Sequence, residues 1–220
     1  TLRKCHRKDQ SRFFTFCIVL LSLSVILVGS YFAYGSYKDM NKSGSAQHNK
    51  DEQYPLRKNA SEYQKEIHKE LKEELKKDSP NKSLVSELVA KNFLADYFTW
   101  TNKLRFNDVG GISYVKKDYQ SWVYHKSLDT FYNDLRYYLE NDSVDQTLEV
   151  SSIQTMSHTT VIELDDKEMP AYMIEANWEY VPSSVLNLDE YQNKAFIKVF
   201  EDSDGHFSVV EVSANEEAEE

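Results

Sequence analysis

The stretch FFTFCIVLLSLSVILVGSYFAY, Phe13 to Tyr34, contains no charged residue in 22 positions. At ~1.5 Å per residue a helix of that length rises ~33 Å, the thickness of a bilayer's hydrocarbon core. A secretory signal has a shorter apolar core, ~7–15 residues, and closes on a small-x-small cleavage site. Here the run leaves through GSYFAYGSY, with no Ala-x-Ala and with Tyr31, Phe32, Tyr34 and Tyr37 spaced like an interfacial aromatic belt. The expectation is therefore an uncleaved single-pass transmembrane helix at 13–34, in contact with membrane lipid. Residues 1–12 form a basic head, with Arg3, Lys4, Arg7, Lys8 and Arg12 against Asp9, and the positive-inside rule places such a head in the cytoplasm. The expected localisation follows: cell membrane, single-pass, N-terminus cytoplasmic, with everything beyond Lys38 outside the cytoplasm. Gly29, Ser30 and Ala33 offer a small-residue packing face for helix pairing.

The formal net charge of the chain is −10, and removing the basic head leaves −14 on the remainder. An acidic body repels phosphate backbones, so no nucleic-acid partner is expected. Both cysteines, Cys5 and Cys17, lie in the head and the apolar run. The outer part thus has neither a disulfide framework nor a Cys-ligated metal.

Residues 35–60 are polar, with Gly and Ser and no apolar period, and read as a flexible stalk. SEYQKEIHKELKEELKK follows, with Ser61 and Gln64 spaced as a capping box and Tyr63, Ile67, Leu71 and Leu75 recurring every four residues. One narrow stripe on a charged helix predicts a spacer helix over 61–78, either solvated or docked through Ile67, Leu71 and Leu75 on a partner or a second copy. The outer domain is expected over 79–213. Ser79-Pro80 should start a long amphipathic helix reaching about 106, and a second helix capped by Ser127 should cover SLDTFYNDLRYYLEND. After Asp145 the apolar period changes to two. TLEVSSIQT, TTVIEL, AYMIEANWEYV, AFIKVF and HFSVVEV read as four or five strands, with Asp204-Gly205 turning the last hairpin. Residues 214–220 are an acidic tail. Helices followed by a run of strands give the fold class α+β, helices packed on one face of an antiparallel sheet.

This order of elements resembles the nuclear-transport-factor-like cone. Joined to a cytoplasmic head, one membrane helix and a stalk, it is similar to the bitopic scaffold subunits of type IV secretion and conjugation machines of Gram-positive type. The resemblance lies in architecture, not in a motif, and implies a non-catalytic assembly subunit that contacts other membrane and channel subunits and self-associates as a homo-oligomer. A cell-wall synthesis or division scaffold, an anchored enzyme such as a wall hydrolase, and a sensor binding a small ligand in the cone are the alternatives.

No His pair has helical metal spacing, and no nucleophile elbow, phosphate loop or zinc motif occurs. No enzyme activity and no cofactor are expected. His125 near Asp129 is the nearest thing to a base and its orienting group. Glu163, Asp165, Asp166 and Glu168, and Asp202 with Asp204, read as hairpin turns rather than cation sites. The aromatic density remains to be explained. Most rings follow the helical period and read as core; Phe98, Trp122, Tyr132 and Tyr137 fall off the stripes and are candidate interface anchors.

Overall fold

The computed structural model describes residues 53–214. Two four-residue-period segments open the fold. Helix α1 (Glu62–Leu75) begins at the predicted capping box: Gln64 N–H donates to Ser61 Oγ (3.2 Å) and Ser61 N–H to Gln64 Oε1 (2.9 Å). Helix α2 (Lys82–Tyr97) is capped by Asn81, whose Oδ1 accepts from Leu84 N–H, two residues beyond the expected Ser79. A shorter pair follows, α3 (Gln120–Asp129) and α4 (Leu135–Glu140), joined by a 3₁₀ turn at Phe131–Asn133. Four strands complete the domain: β1 (Val150–Leu164), β2 (Lys167–Tyr180), β3 (Lys194–Glu201) and β4 (Phe207–Ser213). They form one antiparallel sheet in the order β1-β2-β3-β4. The class is α+β, as expected.

Helix α2 explains the layering. It is apolar on most sides because α1 covers one and the sheet another. Val85, Val89, Phe93 and Leu94 meet Ile174, Ala176 and Trp178 of β2, Ile197 and Val199 of β3, and Val209 of β4. The sheet's other face carries a smaller cluster, Ile162, Ala171 and Phe200 with Leu164, Met169 and Val210.

Several boundaries differ from expectation. α1 is no solvated spacer: Ile67 and Leu71 are buried and Leu75 is half-buried. Asn92 Nδ2 donates to Ile67 O (3.2 Å) and Gln64 Nε2 to Ala95 O (2.9 Å), so polar side chains widen a stripe that apolar residues alone leave narrow. Residues 53–60, expected within the stalk, belong to the packed domain, and 35–52 lie outside the described residues. Tyr54 is fully buried, its hydroxyl donating to Phe207 O and accepting from Phe207 N–H, both at 2.9 Å. Helix α2 stops at Tyr97 instead of 106, because Trp100 N–H turns to Leu148 O (2.7 Å) and Thr99 Oγ1 accepts from Val150 N–H (3.1 Å). Ser127 caps no helix; it sits in the last turn of α3, donating to Val123 O (2.7 Å). The strands expected at TLEVSSIQT and TTVIEL are one continuous β1.

The turns follow expectation. Asp165 and Asp166 both have positive φ (52° and 59°), the geometry of a primed two-residue hairpin. Asp202 Oδ1 accepts from Asp204 and His206 N–H, each at 2.9 Å, around Gly205 at φ 78°. Among the described residues no helix is long and apolar enough to cross a membrane; Phe13–Tyr34, the basic head and most of the acidic tail lie outside them.

Candidate functional site: a cleft between α3 and β4

β4 is an edge strand, and its free side is partly occupied. Val115 bridges Val209 in parallel, and Lys116 N–H donates to Val209 O (2.9 Å). The chain then turns away into α3, and a cleft of about 370 Å³ opens between α3 and β4. Its floor is aromatic: Phe93, Tyr97 and Phe98 from the end of α2. Val209, Val212 and Glu211 form one wall, and Trp122, Val123 and Lys126 the other. Trp122 is 69% exposed at the lip and Val212 42% exposed opposite it.

The sequence builds this wall with one irregularity. Val209 and Val210 are consecutive apolar residues in a strand that otherwise alternates, and the β3–β4 register shifts between Lys198 and Val199. The bulge inserts an extra residue and re-aims the strand, so Val209 and Val212 border the cleft while Val210 also reaches the outer cluster. The polar groups near the floor are already engaged. Tyr97 hydroxyl donates to Ser127 Oγ (3.0 Å), and burial raises the Tyr97 phenol above its ordinary pKa. Glu211 pairs with Lys198 at 3.0 Å. What the cleft presents outward is apolar and aromatic surface with Lys126 at its margin.

A second polar assembly is internal. Arg57 Nε meets Asp96 Oδ1 (2.6 Å), while its two Nη atoms reach Asp108 (3.1 and 3.2 Å). Lys103, fully buried, donates to Asp96 O (2.7 Å) and Oδ1 (2.9 Å), and Gly111 N–H donates to Asp96 Oδ2 (2.7 Å). Burial pushes the Asp96 carboxyl up, but Lys103 and Arg57 outweigh it and hold it well below the carboxylate range. Burial also lowers the Lys103 ammonium to about 8, against the opposing pull of Asp96. Gly110 is required here, because a Cβ would sit 2.0 Å from Asp96 O. Two cations and two anions satisfy one another, so this cluster ties the 53–60 strap and the 99–111 loop to α2.

Of the residues singled out in the sequence, the structure brings Phe98 and Trp122 together in the cleft. Phe98 is a buried floor residue, not an exposed anchor. Tyr132 is fully buried, its hydroxyl donating to Tyr97 O (2.7 Å) and accepting from Gly110 N–H (2.9 Å), which makes it a core post. Ile67 and Leu71 are likewise core, and Leu75 packs at its margin. Tyr137 is 65% exposed on α4, apart from the cleft. His125 packs edge-on against Tyr124 and makes no hydrogen bond to Asp129. Val115, Val209, Val212 and Gln192 also line the cleft, and in sequence the Val209-Val210 doublet is the readable signal for them. Among the described residues no three His, Cys, Asp or Glu side chains gather in metal-binding geometry.

No protein family, no curated protein and no solved structure matches this chain significantly.

Proposed function

We propose that this protein is a membrane-tethered, non-catalytic assembly subunit whose outer domain receives a segment of a partner protein in the α3–β4 cleft. The carrying observation is the cleft itself: aromatic floor, valine wall and a largely exposed tryptophan at its lip. Exposed aromatic anchors beside a desolvated pocket are the composition of interface hot spots. The outer side of β4 at Val210–Val212, which no strand among the described residues covers, adds backbone groups with which an extended segment can pair. The 22-residue uncharged run supports tethering, and a tether raises the effective concentration of weak contacts. With the resemblance to bitopic cone-shaped scaffolds, this favours a secretion or conjugation channel in the cell envelope as the complex served. A cleft of this size also suits a small ligand, as in the sensor reading.

Affinity capture of the full chain from solubilised membranes tests the proposal. Trp122→Ala with Val212→Asp is expected to lose a co-purifying membrane protein while the domain melts as the wild type does. Unchanged recovery of every co-purifying protein would contradict it. A secretion ATPase or polytopic channel protein among the lost species supports the channel; wall-synthesis proteins in their place would reassign the complex.

A further inference from the structure

We propose that the free edge of β1 pairs antiparallel with the β1 edge of a second copy of this chain, about a two-fold axis near Thr159. β1 lies at the opposite side of the sheet from β4 and, among the described residues, pairs only with β2. The two-residue turn makes Leu164–Lys167 the closing hydrogen-bonded pair. Alternation along an antiparallel ladder then directs the backbone groups of even-numbered β1 residues toward β2 and those of Thr155, Ser157, Thr159, Val161 and Glu163 away from it. The start of the strand is covered: Val150 N–H donates to Thr99 Oγ1, and Thr155 Oγ1 to Glu87 Oε2 (2.6 Å). From Ser157 to Val161 no hydrogen bond among the described residues reaches the outward groups.

Edge strands of folded proteins are normally blunted by Lys, Pro, inward charges or bulges. This one is not. From Ser151 to Ile162 there is no Lys, Arg, Asp, Glu or Pro, in a chain whose composition is 28% charged. Its one bulge, between Val150 and Ser152, lies at the covered end. The missing charge also favours a second copy as occupant. Two chains of net charge −10 repel wherever their carboxylates face each other, and the residues nearest the axis, Ser157 to Val161, carry none; the first carboxylates to approach are Glu163 and the Glu87 held by Thr155, at the two ends of the seam.

A two-fold axis perpendicular to the sheet keeps each face continuous, so it pairs residues of equal parity. Centred near Thr159, it sets Thr159 against its own copy, Ser157 against Val161 and Met156 against Ile162 of the second copy. Met156 and Val161, 60% and 58% exposed, are the large apolar side chains that gain cover. The product is a doubled sheet with an α3–β4 cleft at each far end. The pairing does not rest on what the cleft binds.

The test uses the full chain in membranes with Cys5→Ser and Cys17→Ser. Thr159→Cys is expected to form a disulfide dimer on mild oxidation, since hydrogen-bonded cross-strand pairs stand ~5.5 Å apart at Cα, within disulfide reach. Lys126→Cys, on the cleft side, controls for collision and should not dimerise. Adding Val161→Lys to Thr159→Cys should lower the yield about tenfold while leaving the melting curve in place. A Thr159→Cys yield no greater than that of Lys126→Cys would overturn the pairing, and so would a yield indifferent to Val161→Lys.

Discussion

Arg57 illustrates how one residue without a periodic neighbourhood can set a boundary. Its side chain is 3% exposed and meets two carboxylates, Asp96 and Asp108. Removing one partner from a buried ion cluster leaves uncompensated charge, so Arg57→Ala should cost about 3–5 kcal/mol in denaturant unfolding. Trp122→Ala, at a lip position, should stay within about 0.5 kcal/mol of wild type in the same measurement. The cluster also sets an acid dependence. Because the Asp96 carboxyl titrates lower folded than unfolded, the unfolded chain binds the extra proton below about pH 4. The stability Asp96 provides is therefore full above that pH and is lost as pH falls. The gap between wild type and Asp96→Asn should narrow from about pH 5 to about pH 3, measured by urea unfolding at each. None of this was legible in sequence, where Arg57 stands in a polar stretch and its partners lie 39 and 51 residues away.

Elements with strong local periodicity were legible. The capping box of α1, the alternation of β2 and the turns at Asp165-Asp166 and Asp204-Gly205 depend on neighbours within a few residues. Extents failed where a distant strand intervened. Trp100 continues the apolar spacing of α2 and is fully buried, yet it leaves the helix to pair with Leu148. The helix expected from Ser127 onward is interrupted at Thr130 (φ −125°, ψ −107°), so α3 and α4 are separate. The burial of α1 is not legible in sequence because it also involves Asn92 and Gln64, polar side chains that reach across to the facing helix. If α1 is an element of the domain, Ile67→Ala or Leu71→Ala should each cost about 2–5 kcal/mol, and α1 amides should exchange as slowly as those of α2. A freely solvated spacer would show no cost and rapid exchange.

At the scale of the molecule, the sheet separates two surfaces. The β4 side carries the aromatic cleft and the β1 side an unguarded strand edge. Phe98 and Trp122 drew attention in sequence because they fell off the helical stripes, and both belong to the cleft. Its other wall comes from a strand more than 80 residues further along, which periodicity in one segment cannot place beside α3. A photo-crosslinking residue in place of Trp122, in the full chain within its own cells, tests most directly whether another protein fills the cleft. A discrete adduct with one other protein is expected, abolished by Val212→Asp on the facing wall. No protein adduct, or adducts indifferent to Val212→Asp, would contradict it.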